Sequence, residues 1–137
     1  MNELAQVFDS VNIGLVILDT ELRVRYWNRW MEDHSGIAAD RLVGSPLFDH
    51  FPSLNTPKFQ RSCKSVLTFG NFSFFSQKLH QYLFPFKPDS SFQSRFDRMQ
   101  QSCSMGPLRD GDNTIIGLFL TVQDVTDVKE AELGLLR

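Results

Sequence analysis

The stretch MQQSCSMGPLRDGDNTIIGLFLTVQ, residues 99–123, decides the fold class of this 137-residue chain. Apolar and polar residues alternate on both sides of the turn sequence DGDN at residues 110–113. Alternation with period two predicts two half-buried strands, and the turn residues favour an antiparallel hairpin. One apolar face of this hairpin is expected to line whatever the sheet encloses. The residues of that face are Cys103, Met105, Ile116, Leu118, Leu120 and Val122.

A second hairpin is predicted near the start of the chain. Residues 15–18 are apolar, and residues 22–26 alternate apolar and basic side chains. The polar residues 19–21 separate the two runs, a pattern typical of a hairpin with one buried face.

Helices are predicted where capping residues precede apolar residues at helical spacing. Asn28 suits the N-cap of a short helix over residues 29–35. Thr56, followed by proline, suits the N-cap of a longer helix that ends at Gly70. Phe59 lies on the apolar side of this longer helix.

Three further segments complete the pattern. Residues 72–86 are rich in aromatic side chains and are predicted mainly as strand. Residues 3–10 predict a lead helix, and residues 126–137 predict an exit helix. The apolar stripe of the exit helix is expected to consist of Val125, Val128, Ala131 and Leu135.

The order of elements predicts an antiparallel sheet with helices gathered on one face, which is an α+β domain. We expect residues 1–12 to form the lead helix, residues 13–125 the domain, and residues 126–137 a linker helix toward a downstream output domain.

Composition excludes several classes of protein. The net charge is −2, and no basic cluster exceeds two residues, which argues against a nucleic-acid partner. The longest apolar run falls well short of the ~20 residues that cross a bilayer, so no membrane insertion is expected in this span. The two cysteines are interpreted as free thiols in a cytoplasmic protein. Thirteen phenylalanines indicate either an aromatic core or an aromatic-walled cavity.

Several short motifs, taken together and in order, resemble the PAS family of sensory domains. The beginning of the chain matches the first two strands and the asparagine-capped helix, and the end matches the closing signature. The motifs are GLVILD at residues 14–19, VRYWN at 24–28, Gly36, RLVG at 41–44, PLRD at 107–110, IG at 116–117 and QDVTDVKEAE at 123–132.

The resemblance implies a five-stranded antiparallel sheet of order 2-1-5-4-3, with short helices forming a cup over one face. It also implies an output domain downstream, either a diguanylate cyclase (GGDEF) domain or a histidine kinase. Like other sensory domains, the chain is then expected to form a homodimer, here through its terminal helices.

The sequence leaves three functional interpretations open. In the first, a small apolar or aromatic ligand enters the cup, which is bounded by Phe59, Cys103, Met105, Leu118, Leu120 and Val122. In the second, the chain is a ligand-free dimerisation module. In the third it is a haem or flavin receptor, with His80 as the candidate haem ligand and a core or rim histidine as the alternative. No cofactor follows from the residues themselves.

The chain is predicted not to be an enzyme. Phosphate-binding, metallopeptidase and serine-hydrolase motifs are missing from the sequence, so no catalytic residue is assigned. The predicted signal relay consists of Asp124 and Thr126, where the last strand becomes the exit helix. Either side chain can cap the helix, and a cap worth about 1 kcal/mol can be made or broken by small movements of the sheet.

Overall fold

The structure, a computed structural model, describes residues 3–75, 82–87 and 98–135. Its centre is a five-stranded antiparallel sheet. The strands are β1 (Gly14–Asp19), β2 (Val24–Trp27), β3 (Ser73–Phe75), β4 (Gln101–Arg109) and β5 (Ile115–Asp124). They follow the order β2-β1-β5-β4-β3, which confirms the predicted fold class and strand order.

Six α-helices accompany the sheet in the described residues. They are α1 (Glu3–Ser10), α2 (Arg29–Ser35), α3 (Ala39–Leu42), α4 (Leu47–His50), α5 (Pro57–Phe69) and α6 (Thr126–Leu135), with one 3-10 turn at Pro52–Leu54. Helices α2 to α5 cover one face of the sheet, called here the inner face, and together with it form the cup. Within the described residues, no helix combines the length and apolarity that a bilayer crossing requires.

The predicted helix caps are confirmed. Asn28 Oδ1 accepts the backbone N–H of Met31 at 3.2 Å, and Thr56 Oγ1 accepts that of Phe59 at 3.2 Å. Each bond satisfies a donor that the first helical turn leaves unpaired. Helix α5 ends at Gly70, whose φ of 71° a residue with a side chain rarely adopts.

Strand register sets which side chains share the inner face. Val16 pairs with Trp27 on one side and Leu120 on the other, and Leu120 pairs with Met105. Because cross-strand partners point to the same face, this row runs across four strands of the cup floor. Gly117 of β5 lies so close to β1 that a Cβ there would collide with the backbone oxygen of Leu18.

The strand predicted over residues 72–86 is confirmed at Ser73–Phe75 and wrong at residues 82–86, which form bends and irregular backbone. Residues 76–81 lie outside the described part, so the prediction is not tested there. Proline at position 85 has no N–H for a ladder, and the neighbouring backbone groups bind a side chain instead of a strand. Most of the loop predicted after this segment also lies outside the described residues.

The side of the exit helix that faces the domain includes polar residues outside the predicted apolar stripe. Val128 is exposed, whereas Thr126 and Lys129 are buried. Thr126 accepts a hydrogen bond from the start of β4, so this side of α6 faces the domain, and Lys129 follows one turn later on the same side.

Candidate functional site

The residues predicted to bound a ligand lie together in the cup. Phe59 comes from α5 and the other five from β4 and β5, and all six belong to one buried apolar cluster. None is more than 3% exposed. They are Phe59, Cys103, Met105, Leu118, Leu120 and Val122.

Two further rings, which the sequence analysis assigned to a strand, enter the same cluster from segment 82–87. Phe84 is fully buried and stacks on Phe86, with 5.3 Å between ring centroids. It also meets Phe51 edge-on at 5.2 Å and Trp27 at 6.0 Å. The sequence Phe-Pro-Phe, with two rings on alternate residues, is the signal from which the burial of both rings could have been predicted.

One side chain holds this segment in place. Gln101 Oε1 accepts the backbone N–H groups of Leu83 and Phe84, both at 2.9 Å. Gln101 Nε2 donates to the backbone oxygen of Phe84 at 2.8 Å. Gln101 is itself buried, and buried polar groups need hydrogen-bond partners. Its amide pairs with the backbone groups of the segment, which a neighbouring strand would otherwise pair. The sequence analysis did not assign a role to it.

The exit helix is joined to the same end of β4. Thr126 Oγ1 accepts the backbone N–H of Gln100 at 2.9 Å, and the Val125 N–H donates to the Gln100 backbone oxygen at 2.7 Å. Asp124 Oδ1 accepts the N–H of Thr126 at 2.9 Å. The two residues predicted as a relay therefore both make hydrogen bonds at the junction between strand and helix.

The lead helix is attached through Asn28. Its Nδ2 donates to the backbone oxygens of Phe8 at 2.7 Å and Ile13 at 3.0 Å. Its Oδ1 accepts the N–H of Leu15 at 3.0 Å in addition to that of Met31. A single buried amide thus ties the end of α1 to β1 and α2.

His80, the candidate haem ligand, lies outside the described residues. Across residues 3–75, 82–87 and 98–135, no three histidine, cysteine or acidic side chains converge as metal ligands would.

The buried thiols make stability depend on pH. Burial raises the pKa of the Cys103 thiol from 9.0 to about 12, and likewise that of Cys63. An unfolded thiol ionises near its ordinary value, so the stability due to the neutral buried thiol is complete below about pH 9. It is lost as the pH rises toward about 12.

We therefore expect alkaline pH to destabilise the wild-type protein more than Cys103→Ala. Between about pH 8 and about pH 10, the free energy of unfolding should fall by about 1 kcal/mol more in the wild type. Urea unfolding at both pH values measures this difference. Ser104→Ala, the neighbouring residue on the opposite face, should keep the wild-type dependence. Equal pH dependence of wild type and Cys103→Ala would contradict the assignment.

Comparison with known proteins identifies the family. The family model described as the PAS fold matches residues 8–130. The chain belongs to the PAS family. No curated protein shows significant similarity to this PAS domain.

Solved structures agree with this PAS fold. A sensory box sensor histidine kinase of Vibrio cholerae is 23% identical, with a TM-score of 0.64 over 90% of this chain and 89% of that one. The photoactive yellow protein domain of the sensor histidine kinase Ppr from Rhodospirillum centenum is 17% identical, with a TM-score of 0.63 over 90% and 94%. VqmA bound to DPO, a Vibrio cholerae protein, is 19% identical, with a TM-score of 0.62 over 89% and 57%.

Proposed function

We propose that this PAS domain is the ligand-responsive input of a cytoplasmic signalling protein. A small apolar or aromatic molecule binds in the cup and changes how α6 is held at the end of β4. The linker helix, residues 126–137, then passes the change to an output domain. The lead helix, residues 1–12, and the domain, residues 13–125, form the sensing part.

The observation that carries this proposal is the double hydrogen bond between Gln100 and the start of α6. Gln100 immediately precedes β4, and Cys103 and Met105 lie on the inner face of that strand a few residues later. A displacement of β4 by a ligand therefore acts directly on the bonds from Gln100 to Thr126 and Val125. Each such bond contributes about 1 kcal/mol, small enough for a ligand to shift the balance between two positions of the helix.

A buried acceptor at the junction favours a second arrangement. Among the residues that the structure describes, none pairs with Gln100 Oε1, although Gln100 Nε2 donates to the Arg98 backbone oxygen at 3.0 Å. An unpaired buried acceptor costs about 1 to 3 kcal/mol. Any arrangement in which this oxygen accepts a hydrogen bond recovers that energy. The free-energy difference between the two positions of α6 is then smaller.

The output that we propose is a diguanylate cyclase domain, because the closing motif at residues 123–132 resembles that of PAS domains that precede either such a cyclase or a histidine kinase. A histidine kinase is the alternative, and two of the structural relatives named above are domains of histidine kinases. Formation of cyclic di-GMP from GTP by the full-length protein would support the cyclase. Phosphorylation of the full-length protein by ATP without cyclic di-GMP would support the kinase.

A dimerisation module is the second candidate function, and the terminal helices favour it. Leu4 and Val7 on α1 are 65% and 54% exposed, and Val128 on α6 is 56% exposed. These side chains are available to the same helices of a second copy. Sedimentation of the chain at several concentrations tests the proposal, and a monomer at all of them would exclude it.

Substituting Thr126 tests the relay. Thr126→Val keeps the shape of the side chain but removes the acceptor for the Gln100 N–H. In the full-length protein we expect the cup ligand, detected by native mass spectrometry, to remain bound. The difference in output activity between bound protein and protein freed of ligand by dialysis should disappear.

Two variants control this experiment. Thr126→Ser keeps the hydroxyl group and should retain the response. Thr68→Val, at an exposed position of α5, makes the same chemical change away from the junction and should respond as the wild type does. A normal response in Thr126→Val, or a wild-type protein that carries no bound molecule, would overturn the proposed function.

A further inference from the structure

Segment 82–87 contributes two aromatic rings to the buried cluster inside the cup. It belongs to no helix or strand, yet Phe84 and Phe86 are at most 4% exposed. Its backbone is held by the side chain of Gln101 and by one bond from the Met99 N–H to the Phe86 oxygen at 2.8 Å. The rings are therefore fixed inside the cup by a few specific hydrogen bonds, without the ladder that fixes a strand.

This segment extends across the cup floor. Phe84 contacts the ring of Trp27 on β2, and its backbone binds Gln101 on β4. Strands β1 and β5 lie between those two strands. Gln101 has the same parity as Cys103 on β4, so its side chain is on the inner face. A segment that reaches both residues must lie over the inner face near Cys103, where the proposed ligand would bind.

We propose that Phe84 and Phe86 are a built-in occupant of the cup, and that the ligand is a flat aromatic molecule with adjacent N–H and carbonyl groups. The ligand replaces the two rings and takes the place of the Leu83–Phe84 backbone on Gln101. This inference rests on the proposed function, because it names the class of ligand for the same site.

The chemistry of Gln101 dictates this class of ligand. A buried amide that loses its hydrogen-bond partners destabilises the protein by the full free energy of its desolvation. Any molecule that displaces the segment must therefore form hydrogen bonds with both the oxygen and the nitrogen of the Gln101 amide. Oε1 now accepts two N–H groups, and Nε2 donates to one carbonyl. A cyclic amide presents an N–H and a C=O side by side, and an aromatic ring matches the faces of Trp27 and Phe51.

Displacement of the segment reaches the exit helix through three consecutive residues. Met99 and Gln101 hold the segment, and Gln100 between them holds Thr126 and Val125. When Met99 and Gln101 no longer bind the segment, the backbone of Gln100 between them is free to move. The occupant and the exit helix are thus linked through one short piece of backbone.

The test uses 2-pyridone, which has the adjacent N–H and C=O, and N-methyl-2-pyridone, which lacks the N–H. In Phe84→Ala the segment loses its main apolar anchor and competes less well for Gln101. We expect 2-pyridone to bind Phe84→Ala at least about tenfold more tightly than wild type, because less of the protein is in the occupied state. It should also bind about tenfold more tightly than N-methyl-2-pyridone, which corresponds to about 1.4 kcal/mol.

Calorimetric titration measures the affinities, and NMR of the Gln101 side-chain amide reports whether 2-pyridone reaches it. Phe84→Leu, a milder change, decides the question if Phe84→Ala does not fold. Adding Gln101→Leu to either variant should abolish the preference between the two probes. Phe74→Ala removes an exposed ring and should leave the affinity at the wild-type value.

A folded Phe84 variant that binds neither probe, or binds both equally, would overturn this inference. A native ligand without the N–H and C=O edge would also overturn it, while leaving the proposed function intact. The converse result, with probe binding as expected and an output that does not respond to any bound molecule, would refute the proposed function alone.

Discussion

Replacing Phe84 by alanine is expected to lower the free energy of unfolding by about 3 to 5 kcal/mol. The ring is fully buried and contacts Trp27, Phe51 and Phe86. Removing the ring loses the free energy gained when the ring moves from water into the core. It also leaves a void that the surrounding rings fill only in part. A typical domain has about 5 to 15 kcal/mol of stability in total, so the variant should unfold at a much lower urea concentration.

The same substitution at Phe74 provides a matched control. Phe74 comes from the same aromatic stretch but is 73% exposed on β3. Its truncation should change the free energy of unfolding by no more than about 0.5 kcal/mol. Similar losses for Phe74→Ala and Phe84→Ala in urea titrations would show that the ring of Phe84 is not in the core.

Replacing Asn28 by alanine is expected to cost about 3 to 4 kcal/mol, although the side chain carries no charge and little apolar surface. Four backbone groups lose their partners, namely two N–H groups and two oxygens. Each buried group left unpaired costs about 1 to 3 kcal/mol where water cannot reach it. We expect water to pair the groups near the end of α1, which keeps the total below the simple sum.

Chemical denaturation followed by circular dichroism measures this loss. Asn71→Ala is the control, because Asn71 is exposed and its side chain donates a hydrogen bond to the Ser65 hydroxyl at 2.9 Å. It should lie within about 0.5 kcal/mol of the wild type. An Asn28 variant as stable as the Asn71 variant would mean that the buried amide does not tie α1, β1 and α2 together.

Local patterns predicted most of the fold because they report interactions between near neighbours. The alternation around Cys103 and Met105 gave the inner face, since a strand exposes alternate residues to one side. Asn28 and Thr56 gave helix starts, because their side chains cap donors only three residues away. The order of strands came from the resemblance to the PAS family and not from these patterns.

Segment 82–87 could not be predicted in this way. Its conformation depends on Gln101, a residue 17 positions beyond Phe84, and sequence patterns do not report contacts at that distance. Strand propensity of the aromatic residues was overridden by the bonds to this side chain. The burial of Thr126 and Lys129, in place of Val128, likewise follows from a hydrogen bond between α6 and the remote residue Gln100.

The attachment of α1 by its last residues alone has a practical consequence for protein engineering. Phe8 binds Asn28 through its backbone oxygen, Asp9 accepts the Arg29 N–H at 3.0 Å, and no residue of α1 is buried. A foreign helix can therefore be spliced onto the turn before Phe8 without disturbing the core. Each residue added at the splice rotates the foreign helix by about 100°, so a series of insertions would sweep an attached module around the domain in known angular steps.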